Sequence, residues 1–164
     1  MAKNKETKTN AMRILESEGI AYTVHTYDTE DGKIDAVSVA EKCGEDKEQV
    51  FKTLVTKGND GNHHVFVIPA DQKLDLKKAA SAAGVKSVEM IAQKELFPLT
   101  GYVHGGCSPV GMKKLFPTVI DETAVLFDTI CVSAGKVGMQ AEVNPQDLVT
   151  LVHGSFADLT REGG

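Results

Sequence analysis

The most constraining feature of the sequence is a pair of apolar segments, residues 50–56 (VFKTLVT) and 64–69, which flank the turn-forming run NDGN at residues 59–62. Two such runs joined by an Asn/Asp/Gly turn predict an antiparallel β-hairpin. In the first run, apolar residues occupy both alternating faces, which is typical of a strand covered on both sides. We therefore expect this hairpin to be buried within the fold.

The rest of the chain alternates irregularly between helix and strand patterns. Helices are predicted after the Thr9 and Asn10 caps, over residues 36–43, over residues 74–83, and after the Asn144–Pro145 cap to residue 152. A helical turn at residues 92–97 is expected to end before Pro98. Shorter strands are predicted at residues 20–26, 87–90, 118–120, 129–133 and 140–143.

These patterns favour a mixed α/β (α+β) fold with a curved, largely antiparallel mixed sheet flanked by helices. At 164 residues, residues 1–164 are expected to form one compact domain, with disorder confined to about the first eight residues. With 18 basic and 23 acidic residues, the net charge is −5, which argues against a free-standing, sequence-blind nucleic-acid binder.

The cysteines and histidines do not follow the spacing of a structural zinc site. Cys43, Cys107 and Cys131 are widely separated, and no CxxC, CxxH or HxxxH motif occurs. We therefore predict reduced thiols, no metal and no cofactor, and a cytoplasmic protein. The polar N-terminus lacks the apolar core of a secretory signal, and the glycine- and proline-rich stretch 96–112 does not suit a membrane helix.

Lys52 lies inside the first apolar run and requires an explanation, because lysine is almost never fully buried unless it is paired. One interpretation is an edge position from which the side chain extends to water. The other is an ammonium that faces a cleft and binds a carbonyl, hydroxyl or phosphate oxygen. The residues alone leave both interpretations open.

A glycine-rich segment, HGGCSPVG at residues 104–111, is the second candidate for a functional element. Glycines allow backbone N–H groups to approach a ligand closely, although a structural turn is equally compatible with the pattern. The segment fits neither GxxxxGK[ST] nor GxGxxG. Cys107 within it is predicted to be a buried, inert thiol rather than a nucleophile.

Seven short blocks in order resemble the YbaK/EbsC family, which belongs to the superfamily of prolyl-tRNA synthetase editing domains. The resemblance extends over about residues 11–159. The blocks are Tyr27 after His-Thr, FKTLV around Lys52, LDLKKAA at 74–80, VEM at 88–90, GGCSP at 105–109, VSAGK at 132–136 and NPQDL at 144–148.

The resemblance implies a trans-acting aminoacyl-tRNA deacylase that removes cysteine mischarged on tRNA(Pro), or also from Cys-tRNA(Cys). Pocket size discriminates poorly between side chains as similar as proline and cysteine, so a second hydrolytic site is needed. In this family the thiol of the substrate is thought to attack its own ester, without a protein nucleophile. The implied partners are aminoacyl-tRNA and, transiently, prolyl-tRNA synthetase, with no role for DNA or a membrane.

The resemblance also implies roles for individual residues. Lys52 matches the essential lysine of the family and would contact the terminal ribose or the aminoacyl ester. The positions implied to bind substrate are Tyr27, Thr53, Gly105, Gly106, Ser108, Pro109 and Ser133.

Two alternative functions stay open from the sequence. One is a sister deacylase acting on Ala-tRNA(Pro) or other mischarged tRNAs. The other is a non-catalytic module that binds an aminoacyl or nucleotide ligand, or a synthetase.

Overall fold

The computed structural model describes residues 8–33 and 36–161, within which the chain forms five α-helices and ten strands. The disorder predicted for the N-terminus falls mostly on residues 1–7, outside the described residues. The helices are α1 (Asn10–Ser17), α2 (Ala36–Cys43), α3 (Leu76–Ala83), α4 (Leu96–Thr100) and α5 (Pro145–Leu151). The strands are β1 (Tyr22–Thr26), β2 (Phe51–Gly58), β3 (His63–Pro69), β4 (Lys73–Leu74), β5 (Val88–Met90), β6 (Thr118–Asp121), β7 (Ile130–Ser133), β8 (Met139–Val143), β9 (Ser155–Ala157) and β10 (Thr160–Arg161).

The predicted hairpin, β2–β3, is confirmed and lies inside a five-stranded sheet of order β5-β2-β3-β6-β9. Alternate residues of β3 contribute to different apolar clusters: Phe66 and Ile68 pack with α3, and Val67 packs with Ile120 and the β7–β8 hairpin. All three side chains are fully buried. The strand is therefore covered on both faces, as its apolar pattern predicts.

The mixed α/β class is confirmed, but the strands are divided among three sheets. A second, antiparallel sheet has the order β1-β8-β7, and β4 pairs with β10. A parallel bridge between Val50 and Cys131 joins the two larger sheets. The pairs β3–β6 and β6–β9 are also parallel, so the antiparallel character expected for the sheet holds for its β5-β2-β3 half.

Thr9 and Asn144 cap their helices as predicted, whereas Asn10 is the first residue of α1 rather than its cap. The Thr9 hydroxyl accepts from the N–H of Met12, and the side chain of Asn144 accepts from the N–H groups of Gln146 and Asp147, with Pro145 in the first helical position. The prediction that helical structure ends before Pro98 is wrong. Pro98 lies in the first turn of α4, where a missing N–H costs no intrahelical hydrogen bond.

Candidate active site

A cavity of about 550 Å³ opens where the β2–β3 hairpin meets the β7–β8 hairpin. The segment after β1, helices α2 and α4, and the glycine-rich loop form its other walls. Its lining residues are Tyr27, Gly32, Val39, Val50, Phe51, Lys52, Thr53, Leu54, Ala70, Leu96, His104, Gly105, Cys107, Ser133 and Gln140. A cavity of this size that combines apolar walls with a few polar groups is typical of a small-ligand site.

Lys52 lies half-buried on this cavity. Among the described strands, this part of β2 pairs with β3 alone, since β5 pairs with residues 56–58. Burial lowers the pKa of the Lys52 ammonium, and the nearby Asp71 carboxylate partly opposes that shift. Asp71 itself has a buried carboxylate oxygen with no hydrogen-bond partner among the described residues. Lys52 therefore lies at a locally open strand edge that borders a cleft, and its binding role there stays a prediction.

Two buried polar atoms on residues of the cavity wall have no partner within residues 8–33 and 36–161: the Thr53 hydroxyl oxygen and the Gln140 side-chain carbonyl oxygen. Gln140 is 6% exposed and lies directly across the β7–β8 ladder from Ser133. Because a buried polar atom without a partner is costly, such atoms commonly mark the place where a ligand supplies the missing hydrogen bond.

The glycine-rich loop reaches the cavity through His104, Gly105 and Cys107. Gly105 has φ 87°, in the left-handed region that favours glycine. At Gly106 a Cβ would lie 2.9 Å from the backbone nitrogen of Val137, so only glycine allows the loop to pack against the turn after β7.

The residues suggested by the resemblance therefore divide into two groups. Tyr27, Lys52, Thr53, Gly105 and Ser133 line one cavity. The other three lie outside its lining and shape the loop: Gly106 contacts the backbone of residues 136–137, the buried Ser108 hydroxyl accepts from the N–H of Val110, and Pro109 lines a separate, smaller cavity.

Cys107 is buried, as predicted, and it also forms part of the cavity wall. Burial raises the pKa of its thiol to about 12, against a smaller opposing effect of a hydrogen bond with Thr100. The thiol is therefore protonated at neutral pH and is a poor nucleophile.

Sequence reasoning missed Gln140 as a lining residue, and it included His104 in the glycine-rich segment without giving that residue a binding role. Gln140 begins the predicted strand 140–143 and lies opposite Ser133 in a short hairpin. A polar residue at that position was the sequence signal that could have identified it. His104 is the first residue of the glycine-rich segment and fits no motif, and the folded chain brings it to the cavity.

The family model for the aminoacyl-tRNA editing domain matches residues 31–151, about three-quarters of the chain. The chain belongs to the aminoacyl-tRNA editing domain family. The matched segment includes every residue of the cavity wall except Tyr27.

This editing domain has curated relatives that match it over nearly their full length. It is 49% identical over 161 residues to EbsC of Enterococcus faecalis, named as a candidate Cys-tRNA(Pro)/Cys-tRNA(Cys) deacylase, with 98% of each chain covered. It is 30% identical over 165 residues to the multifunctional Ser/Thr-tRNA deacylase ProXp-y of Escherichia coli K12, covering 98% of this chain and 97% of the relative.

Solved structures share the fold of this editing domain. A crystal structure described as that of a candidate trans-editing enzyme for prolyl tRNA synthetase superposes with a TM-score of 0.82 at 25% identity, over 94% of this chain and 99% of the other. A hypothetical protein, APE2540, superposes with a TM-score of 0.82 at 23% identity, over 91% and 97% of the two chains, which supports the fold alone. Among the described residues, no helix is both long and apolar enough to cross a membrane.

Proposed function

We propose that this editing domain is a trans-acting deacylase that removes cysteine from mischarged tRNA(Pro), and also acts on Cys-tRNA(Cys). The observation that carries the proposal is the cavity itself, where Tyr27, Lys52, Thr53, Gly105 and Ser133 converge around a half-buried ammonium. The 49% identity to EbsC over nearly the whole chain supports the cysteine specificity. Such a role belongs in the cytoplasm, where tRNAs are charged.

In the proposed reaction the thiol sulfur of the substrate attacks its own ester carbonyl carbon. The new S–C bond replaces the C–O bond to the ribose, the thiol proton passes to the ribose oxygen, and the products are free tRNA and a cysteine thiolactone. The enzyme contributes proximity and charge stabilisation rather than a nucleophile. The protonated Cys107 thiol is consistent with a reaction in which the protein supplies no nucleophile.

Lys52 is proposed to hold the ester or the terminal ribose, with its ammonium directed to the oxygen that gains negative charge. Thr53 and Gln140 have unpartnered buried oxygens at the cavity, which would accept hydrogen bonds from the α-ammonium or a ribose hydroxyl of the substrate. The backbone of the Gly105 loop would hold the aminoacyl group.

The acceptor end of tRNA is proposed to lie across α4. Lys113 lies over the Phe97 ring, 5.5 Å from its centroid, and Leu96 of the same helix lines the cavity. This combination of a cation and an exposed aromatic side chain suits a single-stranded 3′ end. Because the whole protein is acidic, we propose that prolyl-tRNA synthetase holds the tRNA in a transient complex.

A second candidate function is a Ser/Thr-tRNA deacylase, since a 30% identical relative carries that name. The unpartnered Thr53 and Gln140 oxygens favour it as well, because a substrate hydroxyl could donate to either. A Ser or Thr hydroxyl cannot replace the proposed thiol step unaided, so this activity would need a positioned water.

The decisive experiment is deacylation of Cys-tRNA(Pro), Ala-tRNA(Pro), Ser-tRNA and Thr-tRNA in parallel, by the wild type and by Lys52→Ala. We expect loss of cysteine alone, and a reduction of at least about 100-fold in the variant, the magnitude typical of a lost transition-state contact. Turnover of alanine, serine or threonine instead would assign the chain to a sister activity. Binding without any turnover would support a non-catalytic module.

A further inference from the structure

Beside the cavity, two residues along the β7–β8 ladder from Ser133 and Gln140, four side chains with metal-binding atoms converge from separate parts of the chain. They are His25 of β1, Glu45 just after α2, Cys131 of β7 and Glu142 of β8. One imidazole nitrogen, one sulfur and two carboxylate oxygens all lie within 4.8 Å of one another. We refer to these four residues as the inner cluster.

Three parts of the backbone hold the residues of the inner cluster in place. Cys131 and Glu142 are directly opposite each other in the β7–β8 ladder, and His25 pairs in register with Gln140, two residues from Glu142. Glu45 follows the C-terminal end of α2, where its N–H bonds to the carbonyl of Ala40. The donor atoms are therefore held together by two sheet ladders and a helix end, rather than by one flexible loop.

The inner cluster has more negative than positive charge. His25 Nε2 lies 2.7 Å from Glu142 Oε1 and 3.4 Å from Glu45 Oε2, so two carboxylates share contact with one imidazole. Within residues 8–33 and 36–161, neither carboxylate forms a salt bridge with a lysine or arginine. The side chains of Glu45 and Glu142 are only 13% and 23% exposed, so water compensates the excess charge incompletely.

Outer contacts orient the cluster as they do in metal centres. The Thr129 hydroxyl donates to Glu142 Oε2 at 2.5 Å, and the Gln49 amide donates in turn to the Thr129 carbonyl at 2.8 Å. A carboxylate whose second oxygen is held in this way presents its first oxygen in a fixed direction.

We propose that the inner cluster binds one Zn²⁺ ion through His25 Nε2, Cys131 Sγ and one oxygen each of Glu45 and Glu142. A set of nitrogen, sulfur and oxygen donors suits borderline Zn²⁺ rather than Mg²⁺ or Ca²⁺. Four protein ligands leave no open position, which is the arrangement of a structural site. Zn²⁺ takes the place of the Cys131 thiol proton and of any proton on His25 Nε2, and these protons go to solvent.

The geometry needs only small side-chain movements. Tetrahedral Zn²⁺ with ordinary bond lengths separates its ligand atoms by roughly 3.3–3.8 Å. The His25–Glu142 contact would therefore lengthen by about half an ångström, while the wider pairs would draw in. The bound ion would link α2, which supplies Val39 to the cavity, to the strands that supply Ser133 and Gln140.

The test is metal binding by the full-length, reduced, untagged protein after chelator treatment. We expect one equivalent of Zn²⁺ in competition with a chromophoric indicator, and a rise in thermal midpoint that depends on Zn²⁺ concentration. Substitution with Co²⁺ should give visible bands of a tetrahedral centre and a near-ultraviolet thiolate-to-cobalt band. Wild-type protein that binds neither ion would overturn the proposal.

Variants distinguish this site from adventitious binding. Cys131→Ser should lose the thiolate-to-cobalt band, and His25→Gln and Glu45→Gln should each weaken Zn²⁺ binding at least tenfold. Cys131 is fully buried and its variant could fail to fold, but His25 and Glu45 are partly exposed and provide an independent test. Cys107→Ser and His63→Gln, outside the cluster, should bind like the wild type. Equal loss in these controls would contradict the assignment.

Discussion

Lys52 illustrates how a residue proposed to act in a reaction can lower the stability of the fold. Its ammonium is half-buried beside apolar strand residues, and burial lowers its pKa. The folded state therefore binds this proton less tightly than the unfolded state, and the charged form destabilises the protein. An apolar side chain of similar length would avoid that cost but would lack the ammonium.

We predict that Lys52→Met is more thermally stable than the wild type at neutral pH, while it loses deacylation. Below the lowered pKa, Lys52 is charged in both states and the penalty is complete. As pH rises through that pKa towards the ordinary lysine value, the folded state loses its proton first and the penalty disappears. The difference in thermal midpoint should therefore shrink in alkaline buffer. A difference independent of pH would show that packing, not charge, is its source.

Cys107 gives the opposite prediction, because its thiol remains protonated at neutral pH. Cys107→Ala should keep most of the deacylation of Cys-tRNA(Pro), and removal of a buried sulfur should cost about 1 kcal/mol of stability. Single-turnover deacylation and denaturant unfolding measure the two effects separately. If activity fell as far as in Lys52→Ala, a protein thiol would be the nucleophile.

At the scale of elements, local chemistry determines most boundaries and long-range pairing determines the arrangement. Thr9, the Asn144–Pro145 pair and Gly84 begin or end helices through caps that are readable in the sequence. Strands β4, β9 and β10 were not predicted, because two or three residues carry no usable periodicity, and Leu74 of β4 was assigned to the following helix. The parallel pairing of β6 was equally unreadable, since it depends on distant partners rather than on its own sequence.

The candidate site shows the same contrast between residues that local sequence patterns reveal and residues that only long-range pairing brings together. Lys52 stood out because an ammonium is exceptional in an apolar strand, and the family resemblance suggested Tyr27 and Ser133, which lie on the same cavity. Neither of these signals identified Gln140 or the inner cluster. Their residues come from segments up to 117 positions apart, as in the His25–Glu142 contact, and only strand register brings them together.

A helix cap provides a test at this scale. The Asn144 side chain accepts from the N–H groups of Gln146 and Asp147 and donates to the carbonyl of Asp128, so it joins α5 to the preceding loop. Asn144→Ala should cost about 1–2 kcal/mol in urea unfolding, with unchanged deacylation per folded molecule. Asn144→Asp, which keeps the accepting oxygen, should recover most of the loss. Equal instability of both variants would exclude the cap as the cause.

At the scale of the whole molecule, the net charge of −5 limits how tightly tRNA can bind unaided. We predict that KM for free aminoacyl-tRNA changes weakly with salt, with a slope equivalent to no more than about three phosphate contacts. Lys113→Gln should reduce that slope by about one contact, whereas Lys8→Gln, whose ammonium pairs with Glu16, should not change it. A steep dependence of KM on salt in the wild type would mean that the protein binds tRNA tightly without a partner.

The division of the cavity between two hairpins has a consequence for the order in which the site is assembled. The β2–β3 and β7–β8 hairpins close short loops and can form early and independently, whereas the β3–β6 and β6–β9 pairings need long loops to close. Lys52 and Thr53 belong to one hairpin, Ser133 and Gln140 to the other. During refolding, amide protection in both hairpins should therefore precede the recovery of catalysis, which must await the docking of one preformed half of the site onto the other.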